Sequence, residues 1–141
     1  MKTLILLLTG CGAATPATVT IPAQVVQGIV DASQVKSFEL WVLDQVGRDG
    51  SPIQCQTLLD RTLAPGAGNV IALKSPVQGD FSGQRVVLKN IPAGKQNRVF
   101  YVDLFNSSGA LGTRIGAGCV PSVTIVGGKQ ITVDIDIVSK P

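Results

Sequence analysis

Three cysteines, Cys11, Cys55 and Cys119, are the side chains best equipped for chemistry in this sequence of 141 residues. A thiolate is a nucleophile, a metal ligand or half of a disulfide, depending on what surrounds it. Histidine is absent, which removes the commonest general base and the commonest metal ligand together. Two thiolates with neither His nor a Cys-x-x-Cys spacing make a poor zinc cage, so no metal and no cofactor is expected. Ser33-Gln34-Val35-Lys36 has the spacing at which a lysine one helical turn away activates a serine. Its flanks are strand-like, and it reads as a polar turn leading into a strand. Asp134 and Asp136 would share one strand face about 7 Å apart. Calcium could use such a pair, but a solvated face that discourages edge pairing is the plainer reading. Asp44 to Gly50 lacks the acidic spacing of an EF-hand, and Gly109 to Gly118 lacks dinucleotide-binding spacing. Trp41 and Tyr101 are the aromatics that could line a binding face, with core packing the stronger expectation for Trp41.

Cys11 differs from the other two in its context. Met1-Lys2 supplies a positive charge, Thr3 to Leu8 a short apolar stretch, and Leu8-Thr9-Gly10-Cys11 a branched apolar residue, two small residues and a cysteine. This resembles the lipobox of bacterial lipoproteins. The resemblance implies that diacylglycerol is added to the Cys11 thiol and that signal peptidase II cuts before it. Residues 1–10 would then be a signal peptide and 11–18 a lipidated cysteine with its tether. The apolar stretch is shorter than the roughly 7–15 residues of an ordinary export signal, so either the signal is unusually short or the start codon lies upstream. A membrane-spanning helix needs about 20 apolar residues and is excluded. Gly12, in place of Asp, resembles lipoproteins that pass to the outer membrane.

With Cys11 lipidated, Cys55 and Cys119 remain as an even pair in an oxidising compartment, and a disulfide between them is expected. Two separately buried thiols are the alternative.

Composition sets the frame for these residues. Hydrophobic residues make up 45% and charged residues 15%, too apolar for a disordered segment. The net charge of +3 is small, and no basic stripe with interleaved aromatics argues for nucleic acid. Sixteen Gly and eight Pro are dispersed as turn signals. Period-two alternation predicts strands over Phe38 to Val46, closed by the Asp49-Gly50 turn signal, over Arg85 to Ile91, ended by Pro92-Ala93-Gly94, over Val99 to Phe105 and over Gln130 to Val138. In the third, Phe100, Val102 and Leu104 share one face with Tyr101 and Asp103 opposite. In the fourth, Ile131, Val133, Ile135 and Ile137 point one way and Thr132, Asp134 and Asp136 the other. Weaker patterns lie over Val19 to Val30, Ile53 to Leu59, Val70 to Leu73, Arg114 to Val120 and Ser122 to Val126. The expected architecture is all-β: a single antiparallel β-sandwich of about seven to nine strands over residues 19–141.

Between Val86 and Val138 the chain carries Ile91-Pro92-Ala93-Gly94, a strand with Tyr101-Val102-Asp103, and Gly127-Gly128 before an alternating strand. This order resembles transthyretin-like (prealbumin-like) sandwiches, and it implies a fold without implying a function. An immunoglobulin-like sandwich fits less well, because Trp41 precedes both Cys55 and Cys119 instead of lying between them. The functional expectation is a non-catalytic binding or accessory module, exported and lipid-anchored to the bacterial envelope, in particular the outer membrane. Its partners would be the membrane, through acyl chains on Cys11, and another envelope protein. Its ligand is unknown from sequence. A structural subunit of a larger envelope or secretion assembly is the alternative, and a small hydrolase using Ser33 and Lys36 is the third class.

Overall fold

The computed structural model describes residues 15–20, 32–73, 76–81, 85–92 and 97–139. In chain order these form β1 (Thr15–Thr20), a 3-10 turn (Ala32–Gln34), β2 (Ser37–Asp44), α1 (Cys55–Leu59), β3 (Val77–Asp80), β4 (Arg85–Ile91), β5 (Arg98–Ser107), β6 (Leu111–Val123), β7 (Ile131–Asp134) and β8 (Ile137–Ser139). The strands make two sheets, one in the order β4-β1-β7 and the other in the order β3-β2-β5-β6-β8. An all-β sandwich is therefore the fold, as alternation predicts. One pair departs from the antiparallel expectation: β7 runs parallel to β1, because both enter the small sheet from the same end.

Side chains from both sheets meet in one apolar core. Phe38, Leu40 and Val42 of β2 and Phe100, Val102 and Leu104 of β5 face Leu88 and Ile91 of β4 and Val133 of β7. The β2 and β5 residues occupy alternate positions, so the predicted period of two is the period that buries them. The opposite face of the same strands is also covered. Leu43, Val99, Tyr101 and Ala117 pack against Ile53, Leu58 and Val70 in a second apolar cluster. Segment 53–70 thus lies as a cover over the outer face of the large sheet.

Two stretches expected as single strands behave otherwise. Ile53 to Leu59 contains the helix α1 in place of a strand. Its letters fit both periods, and as a helix it turns Cys55, Leu58 and Leu59 toward the second cluster. Gln130 to Val138 divides into β7 and β8, which belong to different sheets. The in–out alternation survives the change of partner: Val133, Ile135 and Ile137 are buried while Thr132, Asp134 and Asp136 are exposed. Arg114 to Val120 and Ser122 to Val126 run together instead, as far as Val123, into the long strand β6. Val70 to Leu73 forms an isolated bridge between Ala72 and Leu43, and β3 was not anticipated. Of Val19 to Val30, β1 includes Val19 and Thr20, and residues 21–31 lie outside the described set. β1 also takes in Thr15 to Thr18, residues that the sequence pattern assigns to the tether.

The crossing from one sheet to the other depends on Gly118. A Cβ there would collide with Ile135 Cγ2 and would meet the Asp136 carbonyl oxygen at 2.6 Å and Ile137 Cδ1 at 2.9 Å. Only a residue without a side chain lets the crossing segment lie this close to β6. Gly118→Ala is accordingly expected to destabilise the protein by about 1–3 kcal/mol, read as a lowered midpoint in denaturant unfolding with an unchanged slope.

Candidate functional site

Cys11, the residue with the most specific sequence signal, lies outside the described residues. Cys55 and Cys119 are joined in a disulfide. The bond ties the first residue of α1 to the middle of β6, where Cys119 stands opposite Tyr101 of β5.

A second fastener sits at the other end of the same helix. Asp103 of β5 has no solvent exposure, and neither has Tyr101 two residues before it. Arg114 of β6 donates from Nε to Asp103 Oδ1 at 2.6 Å, and Tyr101 Oη donates to the same oxygen at 2.5 Å. Arg61, just past the end of α1, pairs with Asp103 Oδ2 and lies over the Tyr101 ring at 5.9 Å. The Arg114 guanidinium also donates from Nη2 to Tyr101 Oη at 2.8 Å and to the Leu59 carbonyl at 3.0 Å. It thereby satisfies a carbonyl that a helix end leaves without an intrahelical partner. Arg61 has φ 59°, in the left-handed region where glycine usually ends a helix. Its side chain explains the exception, since only a long cation reaches Asp103 from there.

This cluster can hold a structure together, but it offers little to a substrate. Both oxygens of Asp103 are engaged by donors. Burial pushes the Tyr101 phenol well above its ordinary range, and the hydrogen bond to Asp103 adds to the shift. Sequence reasoning placed Tyr101 and Asp103 on the face opposite Phe100, Val102 and Leu104 and went no further. The available signal was on the neighbouring strand, where Trp41 and Leu43 make that same face apolar, so a cover was to be expected.

The remaining candidates stand apart from one another. Ser33 and Lys36 are both exposed, and Lys36 Nζ donates to the Ser33 carbonyl oxygen at 3.1 Å. That contact engages the backbone of Ser33 and not its hydroxyl. Asp134 and Asp136 are exposed on either side of the sheet change, and no group of three or more metal-ligating side chains occurs among the described residues. Trp41 is partly buried against the second cluster, and its Nε1 donates to Glu39 Oε1 at 2.8 Å. Asp44 to Gly50 begins at the end of β2 and runs into the turn that the Asp-Gly pair marks. There Asp49 Oδ1 accepts from the Ser51 hydroxyl at 2.5 Å and the Ser51 amide at 2.9 Å, which lowers the Asp49 pKa. Arg98 is buried with Nη1 3.7 Å from Asp44 Oδ2, and its Nε has no partner.

Two outcomes test the fasteners. In the chain-entropy account, closing a loop of sequence separation 64 is worth about 4 kcal/mol. The double variant Cys55→Ser/Cys119→Ser should lose that much stability. Tyr101 is the single tyrosine and its folded pKa is raised. The unfolded chain therefore gives up this proton first, near about pH 10. Its contribution is complete below that pH and declines above it. Stability measured against pH should fall above that point in the wild type, and the fall should be shallower in Tyr101→Phe.

Comparison of the chain with protein-family models, with curated proteins and with solved structures finds no match to any of the three.

Proposed function

We propose that this protein is a lipid-anchored, non-catalytic binding or accessory module of the bacterial envelope, held through acyl chains on Cys11. The observation that carries the reading is the Cys55–Cys119 disulfide. It accounts for two of the three cysteines and fits an oxidising compartment reached by export. The third is then the cysteine that ends Leu8-Thr9-Gly10-Cys11, where a lipobox places its nucleophile. Two or three acyl chains hold a protein to a bilayer far more firmly than one. Among the described residues no helix is long and apolar enough to cross a membrane.

The prealbumin-like reading of the sandwich and the outer-membrane destination belong to the same proposal. They rest on the Ile91-Pro92-Ala93-Gly94 order and on Gly12, respectively. A non-catalytic role is supported by the absence of His and by Asp103, whose oxygens serve as a clamp.

Intact mass of the membrane-extracted protein tests the whole reading. The expected species begins at Cys11, carries acyl groups there, and is lighter by two hydrogens for the disulfide. Cys11→Ser should shift the protein from the detergent phase to the aqueous phase. A wild type that stays water-soluble and retains Met1 would overturn the anchor.

A further inference from the structure

We infer that the end of the sandwich from which β1 starts is a docking surface for anionic phospholipid headgroups, formed by Lys89, Lys129, Arg48 and the exposed Val126. This rests on the lipid anchor proposed above and specifies what the anchored domain does with its bilayer.

Strand register identifies the end. Thr15, the first residue of β1, stands opposite Ile91, the last of β4. Ala17 stands beside Ile131, the first residue of β7. In the large sheet, Arg98 at the start of β5 pairs with Val123 at the end of β6 and with Asp44 at the end of β2. Segment 124–130 joins the two sheets at this same end. Cys11 precedes Thr15 by four residues, which span at most about 14 Å. A domain tethered that closely cannot present its opposite end to the bilayer.

The charges are distributed accordingly. Lys129 is exposed in the 124–130 segment and Lys89 near the end of β4, and Arg48 is exposed in the turn after β2, where its Nε donates to the Gly68 carbonyl oxygen at 3.0 Å. Among the described residues two carboxylates lie at this end: Asp44 is paired with Arg98, and Asp49, held by Ser51, remains an anion beside Arg48, so Lys89, Lys129 and Arg48 still leave the end positive. Exposed Asp80, Asp134 and Asp136 lie away from it, since Asp80 pairs with Ser37 at the start of β2 and Asp134 with Thr20 at the end of β1. Lys36 also lies there, with its ammonium on the Ser33 carbonyl. Val126 is 44% exposed between Ile125 and the Gly127-Gly128 turn, and it adds an apolar side chain at headgroup depth. Basic residues gain from an anionic surface only within about a Debye length, a distance that the short tether brings within reach.

The test uses the acylated protein reconstituted into phosphatidylcholine vesicles with and without phosphatidylglycerol. Labelling of the wild type by a membrane-impermeant amine reagent reads Lys129 against Lys36 by peptide mass. Phosphatidylglycerol should slow Lys129 several-fold and leave Lys36 unchanged. Val126→Trp should be quenched by brominated lipid more than Leu111→Trp, which reports on the far hairpin. Lys129→Ala should reduce the docked-to-undocked ratio about fivefold. Equal labelling ratios in the two vesicle types, or equal quenching at positions 126 and 111, would overturn docking. Intact mass on the same sample separates the two readings. Missing acyl groups defeat the anchor and docking together, whereas normal acylation with equal ratios defeats docking alone.

Discussion

A helix of five residues cannot hold itself together in water, where isolated helices shorter than about 12–15 residues are marginal. The cover layer of this protein is built around one such helix, α1, and therefore depends on what fastens it at each end. Cys55 at its start is bonded to Cys119. Arg61 just beyond its end is paired with a carboxylate that has no solvent exposure. Burying Asp103 alone would be prohibitive. With two guanidiniums and a phenol arranged around it, the charge becomes a point of attachment that joins the cover, β5 and β6. Removing one member of such a group costs more than its net contribution to stability, because the others stay buried without partners.

That arrangement explains why β5 is apolar on both faces. Phe100, Val102 and Leu104 fill the space between the sheets, while Val99 and Tyr101 lie under the cover. In a two-layer antiparallel sandwich the outer face would be solvated and the alternation clean. Here the cover makes a third layer over β2, β5 and β6, and the alternation is apolar against apolar. The closure at the opposite edge is of another kind. The chain leaves β7 in the small sheet and joins β6 as β8, keeping the same side chains inward throughout, and Gly118 supplies the room for this crossing.

Sequence reading succeeded where one physical signal dominates and failed where two compete. β4 was bounded at Arg85 and Ile91 because the Pro92-Ala93-Gly94 turn signal follows it. The start of β2 and the Asp-Gly turn after it were equally plain. Ile53 to Leu59 was misread because seven residues satisfy either period, and the deciding contact is a disulfide to a residue 64 positions away. Gln130 to Val138 was read with the correct inward residues but as one strand, since a change of partner leaves no trace in side-chain polarity. Asp103 was placed on the correct face without its role. Its partners Arg61 and Arg114 come from other elements, and neither shows periodicity.

The layered build also restricts where a protein partner could bind. The outer face of β2, β5 and β6 is occupied by residues 53–70 of the same chain. If the tether end lies against a bilayer, that end is taken as well. Among the described residues, large apolar side chains are then exposed at two other places: on β4, where Val87 is 61% exposed, and at the hairpin between β5 and β6, where Leu111 is 67% exposed. Single exposed apolar side chains are ordinary on protein surfaces, so neither marks a site by itself. Their positions still differ in what they permit. The hairpin lies at the end of the large sheet opposite the end where β1 begins. A partner in the aqueous phase would meet it first, whereas a partner on the small sheet would have to approach alongside the membrane.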